Sequence, residues 1–284
     1  MPDRGPLVYL GVMKILRSVY KLADFPEYLP ACVAATLLGG AVGGEGPILR
    51  LGIAVLANLL LYSFAVIYQK TENAPMAAVQ PNGKTTNPIA SGEISVRFSQ
   101  TLSAIVVLVC LALNALLGPL NIALGLLGVI IAVGLSHRSI SLGSNPLMRL
   151  GKQQALLSAI FAFSGYLATA NTVNIEAMLL TSFILALGFL FAAWTTQKTT
   201  RILSKPLLVI LLVFVVSSAY ILFIVLELIP AWVLILIALF SAALSFVKHR
   251  YNPNQQRLPQ ILFDSVAIST AVSLVISNLV KAFF

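Results

Sequence analysis

The sequence predicts an all-α integral membrane protein, a bundle of about nine transmembrane helices. Of its 284 residues, 59% are hydrophobic and only 10% charged, where a soluble domain carries roughly a quarter charged residues. Apolar runs recur along the whole chain, each close to the roughly 20 helical residues that cross a hydrocarbon core of about 30 Å. The runs are continuously apolar and do not alternate, which makes them helices and not barrel strands, since lipid offers the backbone no outside hydrogen-bond partner. A mean hydropathy of +0.96, with 18 Gly, 14 Pro and 2 Cys, excludes disordered, collagenous and disulfide-scaffold chains.

Residues 1–27 form a first, cytoplasmic segment. Within it, residues 8–20 interleave apolar positions with Lys14 and Arg17, and Lys21 follows; this pattern predicts an amphipathic helix on the membrane surface. No apolar core precedes a cleavage site, so no signal peptide is expected. The membrane domain, residues 28–284, begins with a span at 28–44 that contains Cys32 and ends in Gly39, Gly40, Gly43 and Gly44. These glycines make two overlapping small-x-x-x-small pairs suited to close helix approach. A phosphate loop would need a helix start and a basic residue on the cytoplasmic side, and this cluster lies at the outer end.

The second span covers 51–68. After it comes the longest connection, residues 69–101, polar throughout and punctuated by Pro75, Pro81-Asn82-Gly83 and Asn87-Pro88. Turn signals of this kind predict a loop, and a loop of this length predicts function. The third and fourth spans, 102–118 and 120–135, are joined by Gly118-Pro119; Cys110 lies in one, and the packing pair Gly125 and Gly128 in the other. Both cysteines sit in apolar runs and are read as buried thiols, not a bridge or metal site. The fifth and sixth spans, 155–170 and 177–194, are separated by residues 171–176. The seventh, eighth and ninth cover 206–226, 229–247 and 261–280. Asp264 is the one intramembrane acid, and such an acid is a functional candidate by default. Its place near the boundary with Ser265 adjacent favours a hydrogen-bonded structural role.

Basic residues fix the expected orientation, because Lys and Arg accumulate in cytoplasmic loops. Arg4, Lys14, Arg17 and Lys21 precede the first span. Lys70, Lys84 and Arg97 follow the second, Arg138, Arg149 and Lys152 the fourth, Lys198, Arg201 and Lys205 the sixth, and Lys248, Arg250 and Arg257 the eighth. Only Arg50 and Lys281 remain on the other side. The N-terminus is therefore expected in the cytoplasm and the C-terminus outside, in a cell inner membrane. The net charge of +9 is spread over loops facing an anionic leaflet, without the aromatic-interleaved stripe of a nucleic-acid binder. Short outer and long inner connections place any ligand or partner on the cytoplasmic side.

Residues 69–95 resemble the cytoplasmic loop of the UbiA superfamily of intramembrane prenyltransferases, most specifically in Asn87-Pro-Ile-Ala-Ser-Gly-Glu-Ile-Ser95. Residues 23–30, Ala-Asp-Phe-Pro-Glu-Tyr-Leu-Pro, look like the family's approach to its first helix. Nine helices, an inside N-terminus and long inner loops after the second and sixth spans are also the family's pattern, so the resemblance covers essentially the whole chain. It implies a UbiA-like bundle. In active members an Asn-Asp-x-x-Asp-x-x-x-Asp motif ends the second helix and an Asp-x-x-x-Asp motif closes the sixth. Carboxylates four residues apart share a helix face and hold magnesium, which neutralises a diphosphate leaving group while the allylic carbon gains positive charge.

This chain departs from that pattern. Anchored on Asn87-Pro88, the first motif falls on Gln69, Lys70, Asn73 and Ala77, and the second on Thr196 and Thr200. Asp occurs only at 3, 24 and 264, and Glu only at 27, 45, 72, 93, 176 and 227. No small shift of register builds two facing carboxylate clusters from that inventory, and Glu72 with Glu93 offers one poor site at best. No magnesium or other cofactor is therefore expected. Lys70, Lys198 and Arg201 are read as positive-inside anchors in preference to a cationic replacement for the metal. The loop after the fourth span keeps only scattered polar groups, among them His137 and Arg138. His137 and His249 have no Cys or acid at ligand spacing, so neither a zinc site nor a nucleophilic triad is supported.

Two functions follow from the resemblance and its departures. One is a non-catalytic UbiA-fold protein that binds an isoprenoid lipid, quinone or pigment tail, or serves as a subunit of a membrane complex. The alternative is an active prenyltransferase or terpene cyclase acting on a prenyl diphosphate through a metal-poor site built on preorganised basic side chains. Losing a dicarboxylate-held magnesium pair removes several kcal/mol of transition-state stabilisation, a rate factor of roughly a thousand or more, which favours the first. A transporter has little support, since no charged relay crosses the spans. Any surviving pocket is expected to have Lys70, Asn73, Lys84, Asn87, Ser91, Arg138, Thr196 and Lys198 around its cytoplasmic mouth. Lipid or isoprenoid, and possible subunits, are the expected partners, and nucleic acid is not.

Overall fold

A computed structural model of the chain describes residues 19–20, 22, 25–44, 46–77, 87–136, 146–170, 172–196, 230–251 and 258–283. The described residues form eight helices and no strand: α1 Phe25–Val42, α2 Ile48–Ala77, α3 Val96–Leu117, α4 Pro119–Ser136, α5 Pro146–Ala170, α6 Ile175–Thr196, α7 Ala231–Tyr251 and α8 Leu258–Phe283. Each overlaps one span read from the sequence. The span at 206–226 and residues 8–18 lie outside the described residues. By length and apolarity α2, α3 and α4 are long enough to cross a bilayer, and α1, α5, α6, α7 and α8 contain shorter apolar stretches.

Helix ends follow local chemistry. The Ser95 hydroxyl caps α3, accepting a hydrogen bond from the Phe98 amide at 3.2 Å, one of the donors a helix start leaves unmatched. Gly118 then breaks the chain at φ +127°, where glycine is at home. Pro119, with no amide hydrogen to satisfy, opens α4. This single-residue connection forces α3 and α4 into an antiparallel pair.

One expectation is corrected here. Residues 69–77 were expected to begin a loop, and they are helical: α2 runs nine residues past Tyr68, through Pro75 in its last turn. Gln69, Lys70, Glu72 and Asn73 satisfy their backbones within the helix as well in water as in lipid, so polarity alone does not end it. At 30 residues, α2 is about 45 Å long, which exceeds the hydrocarbon core and carries its last turns beyond it.

The core is built around α1, α2 and α5. Gly39 of α1 lies directly against the Ala162 carbonyl of α5, Gly43 against Thr169, and Gly165 of α5 against the Thr36 carbonyl. The two backbones thus touch, as small-x-x-x-small pairs permit. The Thr169 hydroxyl lies 3.2 Å from the Gly40 carbonyl oxygen across this seam. Gly40 itself packs on Leu51, Gly128 of α4 on Leu61, and Gly125 on Asn114, so packing is the role of five of the six glycines singled out from the sequence. The sixth, Gly44, sits at φ +90° in the α1–α2 turn, where a methyl group added to it would meet nothing within 4 Å. It is a turn residue, which corrects its reading as a packing partner.

Asn58 of α2 bridges three helices, donating to the Thr36 hydroxyl at 3.0 Å and the Phe161 carbonyl at 3.3 Å. Cys32 and Cys110 are free and buried, with the Cys110 thiol 3.3 Å from the Ala57 carbonyl. Arg50 donates to the Leu117 carbonyl at 2.7 Å, closing the last turn of α3.

Candidate functional site

The candidate site lies at the C-terminal end of α2. Residues 87–95 fold back on that end as a compact cap. Asn87 organises it from the first position: its side-chain oxygen accepts from the Ile89 amide at 3.0 Å, while its side-chain nitrogen donates to the Lys70 carbonyl of α2 at 2.8 Å. The first bond is the local turn that asparagine makes with its own backbone, and the second ties that turn to the helix. Three backbone bonds close the rest, from the Ser91 amide to Asn87, Gly92 to Ile89 and Ile94 to Pro88, at 3.0, 3.1 and 3.0 Å. Gly92 sits at φ +75°, a conformation other residues adopt at a cost.

Apolar contacts seal the underside. Ile89 and Ile94 of the cap pack with Ile67 and Ala74 of α2 and with Leu22 from the segment ahead of α1, all buried, and Leu102 of α3 covers them. Beside this cluster the Thr71 hydroxyl donates to the Ile67 carbonyl at 2.7 Å and meets the buried Ser99 hydroxyl at 2.6 Å, latching α2 to the first turn of α3.

Of the eight residues expected around a cytoplasmic mouth, the fold gathers four. Lys70 and Asn73 stand three apart on α2 and so share a face. Asn87 is buried with its side-chain nitrogen on the Lys70 carbonyl, and Ser91 is exposed on the cap with its hydroxyl 3.2 Å from the Pro88 carbonyl. Thr196 closes α6. Lys84, Arg138 and Lys198 lie outside the described residues. The sequence reading missed Leu22, Thr71, Ser99 and the pair Ile89 and Ile94; two isoleucines in an otherwise polar stretch were the available signal.

The first motif expected from the sequence falls on the end of α2. Its positions are Gln69, Lys70, Asn73 and Ala77, and the helix holds one acid, Glu72. Among the described residues no three His, Cys, Asp or Glu side chains come close enough to hold a metal ion. Every buried polar side chain among the described residues is a hydroxyl or a carboxamide, from Thr36 and Asn58 to Asn114, Asn121, Gln153 and Ser164; the side chain of Asp264 lies outside the described residues. Groups of this kind offer hydrogen bonds and no charge.

Asn87→Ala removes both side-chain bonds and leaves the Ile89 amide and Lys70 carbonyl to find other partners. A loss of about 1–2 kcal/mol in the closed cap is expected, read as roughly tenfold faster amide exchange across residues 87–95, with exchange in α5 unchanged.

No protein-family model matches the chain, and no curated protein matches its sequence. Solved structures match its fold. A structure described as giving structural and mechanistic insights into digeranylgeranylglyceryl phosphate synthase in membranes aligns over 92% of this chain and 98% of its own, at 14% identity and a TM-score of 0.60. The apo structure of a UbiA homologue from Aeropyrum pernix K1 aligns over 89% and 98%, at 16% identity and a TM-score of 0.62. The chain thus has the UbiA-like fold over nearly its whole length, and it is an integral membrane protein by its apolar helices.

Proposed function

We propose that this chain is a non-catalytic UbiA-fold membrane protein that binds a neutral isoprenoid lipid, such as a quinone or a pigment tail, and that it serves in this state alone or as a subunit of a membrane complex. The observation that carries the reading is an α2 end that has Gln69, Lys70 and Asn73 where a prenyltransferase needs carboxylates, with the buried polar side chains among the described residues all hydroxyls and carboxamides. A diphosphate-bearing substrate brings several negative charges, and its departure requires a cation cluster that carboxylates would hold. A neutral polyprenyl chain needs only apolar walls and one or two hydrogen bonds. In this reading residues 28–284 are the lipid-binding domain and no cofactor takes part. The basic end faces the cytoplasm across an inner membrane, and Lys70, Asn73, Lys84, Asn87, Ser91, Arg138, Thr196 and Lys198 ring the mouth.

Purification in mild detergent followed by organic extraction tests the binding. A stoichiometric isoprenoid, or a companion subunit retained through purification, is the expected result, and a monomer carrying neither overturns the reading. The catalytic side is tested by incubation with radiolabelled geranylgeranyl diphosphate and a membrane lipid extract, with magnesium or with EDTA. No labelled product is expected under either condition, and product in either one returns the chain to the enzymes.

A further inference from the structure

Arg50 stands in the first turn of α2, twenty residues and so about 30 Å from Lys70 along the same helix. That distance is the thickness of a hydrocarbon core, which puts Arg50 at the membrane boundary opposite the candidate site. Its side chain is half-buried and held in place: an N–H on Nη2 donates at 2.7 Å to the Leu117 carbonyl, an acceptor that the end of α3 leaves unmatched. The carbonyl fixes the guanidinium without cancelling its charge. A guanidinium carries five N–H donors, and among the described residues the Leu117 carbonyl is the one partner of Arg50, which leaves four donors for something else.

The residues around this cation are bulky, apolar and open. Ile48 and Leu49 beside Arg50 and Leu116 beside Leu117 are each 70% exposed or more, and Leu120 in the first turn of α4 is half exposed. At a membrane boundary such side chains are covered by acyl chains, and the phosphates of the same lipids lie at the level of the guanidinium. Arginine pairs with phosphate through two parallel N–H···O bonds, a geometry that an ammonium cannot copy. From the fixed cation and the apolar side chains around it, we propose that Arg50 binds the phosphate of an anionic phospholipid whose acyl chains lie on Leu49, Leu116 and Leu120. A net negative headgroup keeps its attraction for a lone cation, whereas the choline of phosphatidylcholine offsets it. The lipid bridges α2 to the α3–α4 connection and reinforces the junction that the Arg50 bond begins. It stands apart from the candidate site and does not depend on what the interior holds.

The test uses phosphatidylglycerol with a photoreactive diazirine in one acyl chain, titrated into the full chain in mild detergent, with the labelled peptides located by mass after illumination. In the wild type, saturable labelling is expected on the peptides holding residues 48–56 and 116–120. Unlabelled phosphatidylglycerol should compete for it several-fold better than phosphatidylcholine, and inorganic phosphate should not compete. Arg50→Gln should lose most of this labelling, and Arg50→Lys should fall between it and the wild type, since an ammonium keeps the charge without the fork. Arg97, exposed in the first turn of α3 at the other end of that helix, is the control: Arg97→Gln should leave the labelling unchanged. Wild-type labelling in Arg50→Gln, or equal competition by the two lipids, overturns the site, and competition by inorganic phosphate overturns the lipid as its ligand. If Arg50→Gln also lowers the unfolding midpoint, the wild type in about 1 M salt decides, because charges there are screened within about 3 Å. Labelling must then fall several-fold, and labelling that persists overturns the proposal.

Discussion

Gly165→Ala is expected to destabilise the bundle by about 3 kcal/mol, at the upper end of what over-packing produces, and Gly39→Ala by a similar amount. A methyl group on Gly165 would overlap the Thr36 carbonyl oxygen and stand 2.8 Å from its carbon and 3.1 Å from its Cα. On Gly39 it would overlap the Ala162 carbonyl oxygen and lie 2.9 Å from the Tyr166 amide. Every neighbour at these contacts is backbone, which no rotamer change can move aside. Relief requires α1 and α5 to separate, and that would also lengthen the bonds from Asn58 to Thr36 and Phe161. The two substitutions strain one seam, so their effects in combination should fall short of the sum. Gly52→Ala and Gly134→Ala serve as references, because a methyl group at either meets nothing within 4 Å. Both lie within helices, where alanine gains roughly 0.5–1 kcal/mol over glycine. Reversible unfolding in mixed micelles titrated with dodecyl sulfate, followed by circular dichroism, gives the ranking. Equal midpoints for Gly165→Ala and Gly134→Ala would show that the backbones do not touch.

How far such contacts can be read from sequence varies with their physical origin. Apolar run length located every described helix, because the bilayer imposes one thickness on all of them. The glycine spacing on α1 announced a close crossing, though not that α5 supplies the opposite wall, since small-x-x-x-small spacing is silent about its partner. Gly44 had the same spacing and proved to be a turn: two residues past the helix end at Val42 and at φ +90°, it no longer follows the helical register. The end of α2 was misplaced at Tyr68 because hydropathy reports where lipid stops, while helix termination depends on caps and breakers. Leu22 and Asn58 were not singled out. A lone leucine among basic residues and a lone amide in an apolar run leave averaged hydropathy nearly unchanged, and their importance comes from neighbours distant in sequence, Ile89 and Phe161. At the candidate site, the tie of Asn87 to Lys70 was foreshadowed by the resemblance that placed both residues at one mouth. That Gln69, Lys70, Asn73 and Ala77 carry no carboxylate is read directly from the sequence.

Asn58→Asp should be among the most damaging single changes in the protein, and its effect should depend on pH although one atom separates the two side chains. The Asn58 amide is 2% exposed and spends its two N–H groups on acceptors, the Thr36 hydroxyl oxygen and the Phe161 carbonyl. Thr36 cannot turn its own hydrogen toward a new acceptor without giving up its 2.9 Å bond to the Cys32 carbonyl. An ionised carboxylate at position 58 would therefore face oxygen lone pairs on two sides, with no donor of its own. On insertion scales an aspartate at the centre of a membrane helix costs about 2.5–3.5 kcal/mol, and the mismatch with two acceptors adds to that. Protonation restores a single O–H donor and removes the charge. The penalty belongs to the charged form, so ionisation opposes folding, and the variant should regain stability as acidification protonates the carboxyl. The wild-type amide does not titrate and contributes no such slope. Asn58→Leu is the discriminating control: it removes the bonds, typically worth about 0.6 kcal/mol each in membrane helices, and introduces neither charge nor competing lone pairs. The expected order of stability at neutral pH is wild type, then Asn58→Leu, then Asn58→Asp, with only the last moving with pH. If Asn58→Asp matches Asn58→Leu at every pH, position 58 is open to water and the three-helix bridge is not the buried junction the coordinates describe.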